Sequence, residues 1–183
     1  QIGPFGSLLH KEDYISGGVP LINPMHISCG SIDPDPEFSI SPEKALSLTS
    51  YRLRTGDVVM GRRGEMGRCA VVDIDHDGYL CGTGSLIVRP KPGKSTAIYV
   101  QAALSHKSSK SRLERVALGS TLPNLNATIV KRFPLSAPSI SSQEEFARRI
   151  RQLDLQRATA EHALAKTDTL FASLQSRAFR GEL

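Results

Sequence analysis

The chain has 183 residues, 39% of them hydrophobic and 5% aromatic, with no tryptophan. That is enough apolar material for one ordinary core plus an appendage, which excludes wholesale disorder, and too few aromatics for a single-strand base-stacking platform. The formal net charge is +5 and is unevenly spread: residues 1–50 set two lysines against six carboxylates, whereas residues 89–132 set nine cations against Glu114 alone. A basic excess spanning several elements points to a surface for a polyanionic partner such as nucleic acid rather than to one solvated face.

In chain order, residues 1–50 alternate turn signals (Gly3-Pro4, Gly17-Gly18, Asn23-Pro24, Asp33-Pro34-Asp35-Pro36) with short apolar pieces such as Val19–Ile22. Ser41 followed by Pro42 predicts an N-cap and a short helix to about Thr49. Strands are expected at 57–60, 69–74, 79–81 and 85–88. The segment 61–68 forms the loop between the first two, and Asp77-Gly78 is expected to be a hairpin turn. A helix opens near Ile98 and runs toward Arg115 with an interruption. Residues 119–126 read as a polar loop, and 129–135 as a last strand or extended piece.

The pattern then changes. Pro138 is the last proline, and no glycine occurs between Gly119 and Gly181. Ser141 or Ser142 is the expected cap of a long helix, with Glu144 and Glu145 in its first turn. Phe146, Ile150, Leu153, Arg157, Ala160, Leu164, Thr167, Phe171, Leu174 and Ala178 recur at alternating steps of four and three, the coiled-coil period. Such a helix exceeds what a domain of about 140 residues needs for cover. Part of its stripe should therefore face another helix.

Little in the sequence points to bond-making chemistry. Asp73, Asp75, Asp77 and Gly78 match the opening of a calcium loop, but Gly84 stands where the bidentate glutamate should be. No Gly-rich cofactor loop follows a strand, and Asn23-Pro24-Met25-His26 departs from a methyltransferase catalytic loop. The five histidines lack ligand spacing. Asp35 and Glu65 are available carboxylates, but no ordered nuclease pattern surrounds them. Cys29, Cys69 and Cys81 lack C-x-x-C spacing and are odd in number, which reads as free thiols in a reducing cytoplasm. No apolar run reaches membrane-spanning length.

Three polar segments are candidate nucleic-acid contacts. Gly61-Arg62-Arg63-Gly64-Glu65-Met66-Gly67-Arg68 combines glycines, which allow close backbone approach, with arginines, which donate in pairs to phosphate or guanine. Taken alone it also reads as a solvated basic hairpin. His106-Lys107-Ser108-Ser109-Lys110-Ser111-Arg112 suits phosphate. In Leu122-Pro123-Asn124-Leu125-Asn126 the asparagines either read adenine edges or close turns. The candidate DNA-binding residues are Arg62, Arg63, Arg68, Lys107, Lys110, Arg112, Asn124 and Asn126. The candidate helix-pairing residues are Phe146, Ile150, Leu153, Leu164, Phe171 and Leu174.

The order of these pieces resembles the specificity subunits of type I restriction–modification systems. The matching stretches are Gly3-Pro4-Phe5-Gly6-Ser7, Gly18-Val19-Pro20-Leu21-Ile22, Leu53 through Gly64 with Gly67-Arg68, Gly119-Ser120-Thr121 with 122–126, Phe133-Pro134-Leu135, and the tail from Ser173 to Leu183. The resemblance implies an α+β architecture: a mixed α/β target-recognition domain over 1–140, followed by a spacer helix over 141–183 that forms a coiled coil. It implies no catalysis by this chain, but recognition of one half of a bipartite double-stranded DNA target. The implied partners are modification (methyltransferase) subunits, a restriction subunit, and a second recognition half or a second copy joined through the long helix. S-adenosylmethionine, ATP and Mg are expected only on those partners. The few dozen residues that usually precede Gly-Pro-Phe-Gly are not seen here, so an N-terminally truncated recognition domain is expected. Two alternatives remain open: the recognition end of a fused restriction–methylation enzyme, and a protein-interaction module built on the long helix.

Overall fold

A computed structural model describes residues 1–117 and 124–182. The chain divides into two units, Gln1–Gln143 and Glu144–Leu183.

The first unit is organised around one strand. β6 (Val58–Gly61) is buried along its whole length and lies between β7 (Cys69–Val71) and β9 (Ser85–Val88), antiparallel to both. Strand side chains alternate between faces, so the apolar run Val58-Val59-Met60 supplies two cores at once. Val58 and Met60 join Leu86, Leu104, Leu113 and Leu125 on one face. Val59 joins Ile22, Ile27, Leu53, Ala70 and Ile87 on the other. Each fully buried leucine among them contributes about 1.5–3 kcal/mol.

A second sheet runs β1 (Tyr14–Ile15), β5 (Ser39–Ile40), β2 (Val19–Ile22), β8 (Leu80–Cys81). The first two pairings are antiparallel, whereas β2 and β8 are parallel, with Leu21 opposite Leu80 and Ile22 opposite Cys81. The same alternation sends Ile22 and Cys81 to the second core, and Leu21 and Leu80 to a third with Ile40 and Leu48. β3 (Ile27–Ser28) and β4 (Ser31–Ile32) form a small hairpin.

The helices follow their sequence signals closely. Ser41 caps α1 (Pro42–Ser47) through a 3.2 Å bond from the Lys44 amide. Thr96 caps α2 (Ala97–Ser105), extended His106 supplies the expected interruption, and α3 (Lys107–Ala117) follows. On α3 the inward residues Ser109, Leu113 and Ala117 lie four apart, one face of a helix.

Three expectations need correction. Residues 129–135 do not form a strand: Ala127–Arg132 is a helix, α4, because the Asn126 side chain accepts the Ile129 amide at 2.9 Å and starts a helical turn. Asp77-Gly78 is not a hairpin turn, since β7 pairs with β6 and β8 with β2; the turn carries the chain from one sheet to the other. The long helix, α5 (Ile140–Phe179), is capped by Ser139, whose hydroxyl accepts the Ser142 amide at 3.2 Å.

The second unit is the remainder of α5, whose 40 residues correspond to about 60 Å. The exposed surface pairs Glu145 with Arg148 and with Arg149, and Arg157 with Glu161. Leu153, Leu164, Phe171 and Leu174 of the four-three stripe are exposed. No helix among the described residues is long and apolar enough to cross a membrane.

Candidate nucleic-acid interface

The 62–68 loop leaves β6 and returns as β7, and it is fixed in three places. Met66 is buried in the core beside Leu104 and Leu113. Gly67 has φ +76°, and a Cβ there would meet the Leu104 carbonyl at 2.8 Å and the Lys110 stem at 2.7 Å, so only glycine fits. Arg62 is 8% exposed and threads inward: its amide donates to Gly84, its carbonyl accepts from Leu125, and its Nε donates to Asn124 Oδ1 at 2.9 Å. Burial first, and Arg63 second, lower the Arg62 guanidinium pKa. What the loop presents to solvent is therefore the arc Arg63-Gly64-Glu65.

The neighbouring wall is α3. Its first turn is capped by His106, whose Nδ1 lies 3.3 Å from the Ser108 amide and 2.8 Å from the Ser108 hydroxyl. Loop and helix meet at Glu65. One carboxylate oxygen accepts from Lys110 Nζ at 2.6 Å; the other accepts from Arg68 Nη2 at 3.0 Å and Nε at 3.3 Å. The Lys110 bond first, then those of Arg68, hold the Glu65 carboxyl below the usual carboxylate range. Arg68 Nη1 also donates to the Pro24 carbonyl at 3.2 Å. Beside this triad opens a cleft of about 460 Å³, bounded by Met25, Cys29, Gln101, Ser105 and Lys110.

The sequence candidates thus separate by environment. Arg63 and Lys107 are exposed and make no ion pair among the described residues. Arg68 and Lys110 share Glu65. Arg112 lies over the Phe133 ring at 4.9 Å, a cation–π contact that holds α3 against the segment after α4. Arg62 and Asn124 are bound to each other, and the Asn126 carbonyl is committed to its cap. Leu122 and Pro123 of the third segment, with 119–121, lie outside the described residues. Phe146, Ile150, Leu153, Leu164, Phe171 and Leu174 all lie on α5.

Sequence reasoning missed Glu65 as a member of this surface. It stood inside a basic loop, which was the available signal, but its two partners could not be assigned without knowing that α3 packs there. The carboxylates of the segment 73–78 are taken up within the fold: Asp73 accepts from the Asp75 and His76 amides, and Asp77 accepts from the Thr55 amide and hydroxyl. Among the described residues no three His, Cys, Asp or Glu side chains are grouped to hold a metal ion.

A loop braced into a core, presenting cations beside a polar helix, is an arrangement suited to holding a polyanion. Comparison with known proteins gives that arrangement a family. Residues 6–166 match the type I restriction modification DNA specificity domain, and the chain belongs to that family. The type I restriction enzyme EcoBI specificity subunit of Escherichia coli is 27% identical over 180 residues, 96% of this chain and 38% of that protein. The HsdS subunit from Thermoanaerobacter tengcongensis superposes with a TM-score of 0.57 at 19% identity, covering 100% of this chain and 42% of the other. The S subunit of a type I restriction-modification system from M. genitalium gives 0.55 at 16% identity, covering 84% and 36%. At these identities the two structures establish likeness of fold. The chain spans about two-fifths of the length of each relative.

Proposed function

We propose that this chain binds double-stranded DNA and reads one half of a bipartite target, directing the modification and restriction subunits of a type I restriction–modification complex to it. Residues 1–140 are the recognition domain and 141–183 the spacer helix. The chain's own contribution is binding. S-adenosylmethionine, ATP and Mg belong to the partner subunits, and the assembly works in the cytoplasm.

The observation that carries this reading is the fixed loop: Arg62, Met66 and Gly67 anchor it in the core, so that Arg63 is presented without the ordering cost of a mobile hairpin. Lys107 at the start of α3 adds a second exposed cation. Both suit phosphate, which positions a protein on the duplex, while polar and arginine side chains along the same face read base edges. The exposed leucines and phenylalanine of α5 suit pairing with the helix of a second recognition half, or of a second copy.

Binding of the full chain to random-sequence duplex DNA across a salt series tests the reading, with and without a modification subunit. Affinity should fall with salt by a slope of about 0.9 per phosphate engaged. Adding the subunit should sharpen binding onto a subset of sequences. Arg63→Ala and Lys107→Ala should each weaken binding and reduce the slope. Salt-independent binding, or none in either condition, would overturn it.

A further inference from the structure

We propose that Glu65 is a displaceable stand-in for a DNA phosphate: it holds Arg68 and Lys110 together beside the cleft until a phosphate takes them over. The inference rests on the duplex-binding reading above and adds how that surface is held back from DNA.

Three features of the triad support it. First, its cations come from separate elements, with Lys110 45 residues away from Glu65, yet both converge on one carboxylate. Carboxylate and phosphate oxygens make the same charge-assisted bonds with guanidinium and ammonium groups. Second, the cations are held by more than Glu65. Arg68 also donates to the Pro24 carbonyl, and the Lys110 stem lies against Gly67. They therefore stay in place when the carboxylate leaves. Third, the carboxylate can leave. The Glu65 side chain is 48% exposed, and the preceding Gly64 has φ +75° with open space around it.

While Glu65 remains in place, its charge opposes an incoming phosphate and cancels one of the two cations. Binding to arbitrary duplex is then weak. It strengthens only where the other contacts hold the backbone close enough to displace the carboxylate. Glu65 thereby limits non-specific binding, the sequence-independent electrostatic part of DNA affinity.

The test compares the full chain with Glu65→Gln, Glu65→Ala, Lys110→Gln and the double variant Glu65→Gln/Lys110→Gln, on random-sequence duplex DNA over a salt series. Thermal melting of each protein is followed in parallel. Losing two partly exposed ion pairs on binding costs the parent chain roughly a factor of ten in affinity. Glu65→Gln should recover that factor at low salt and steepen the salt dependence by about 0.9 for each cation released. Lys110→Gln should weaken binding more in the Glu65→Gln background than in the parent, because only there is the ammonium free. Unchanged or weaker binding by well-folded Glu65→Gln overturns the proposal, and a changed sequence preference would instead make Glu65 an acceptor for a base amino group. Glu65 variants that fail to fold also overturn it, since Glu65 would then be a brace of the fold. If Arg63→Ala and Lys107→Ala weaken binding while the Glu65 variants do not strengthen it, only this inference fails. If the parent chain itself shows no salt-dependent binding, the duplex reading fails with it.

Discussion

The two units treat their difficult side chains in opposite ways. In Gln1–Gln143 the charges that reach the interior are held by specific bonds: the Asp57 carboxylate, 2% exposed, receives Arg89 Nε and Nη2 at 2.6 Å each together with the Arg54 amide, and Arg62 donates to Asn124. In Glu144–Leu183 the charges are solvated and the large apolar groups from Leu153 onward are left open, Leu164 at 62% and Phe171 at 66% exposed. The first unit carries its stability within itself through contacts distant in sequence. A helix of the second kind gains little from its own ion pairs, and most of its stability comes from burying its apolar stripe. Substitutions in the first unit should therefore change folding, and substitutions on the stripe should change association.

The contrast breaks most readily at Arg89. Arg89→Ala leaves the Asp57 carboxylate buried without its counter-ion and should destabilise the first unit by about 2–4 kcal/mol in a denaturant titration. A loss near zero would show that water reaches Asp57 freely. Next comes Gly67→Ala, which combines a left-handed backbone with a 2.8 Å clash on the Leu104 carbonyl. It should cost about 2–3 kcal/mol and weaken DNA binding with it, because the same glycine sets the loop.

On the other side of the contrast, Leu164→Asp with Phe171→Asp should abolish association through α5, measured by sedimentation, while the unfolding free energy of the first unit, read from its denaturant midpoint, changes by less than about 0.5 kcal/mol. A drop in that midpoint would mean that the two units are not independent.

The smallest effect concerns the thiols. Burial pushes the Cys69 thiol up to about 11, partly offset by the Ser105 hydroxyl, and Cys81 up to about 12. A raised thiol pKa favours the neutral form in the fold. Its stabilisation is complete below the ordinary value near 9, and it declines as pH rises from there toward those folded values, while the unfolded thiols ionise. Melting temperature should fall modestly on going from neutral pH into that window. At neutral pH only exposed Cys29 should react quickly with iodoacetamide.

Much of this architecture is legible in sequence, because it rests on neighbours. Ser41-Pro42 specifies a helix start, Val58-Val59-Met60 a buried strand, and the four-three spacing after Pro138 a long helix with a stripe. Each depends on backbone geometry within a turn or two. The charge segregation between residues 1–50 and 89–132 likewise needs no structure. The tertiary fold decided what the sequence left equivalent. Arg62 and Arg63 are adjacent and chemically identical, yet one is bound to Asn124, 62 residues on, and the other is exposed. Asn126 reads in sequence as a base contact or a turn closer, and in the structure its side-chain oxygen caps α4. Residues 129–135 are β-branched enough to suggest a strand, but local capping made α4. Glu65 became a partner of Lys110 only when α3 packed against the loop. For Arg62 and Glu65 the deciding contact joins residues far apart in sequence, and periodicity along the chain holds no record of it; α4 was decided locally, by the Asn126 cap.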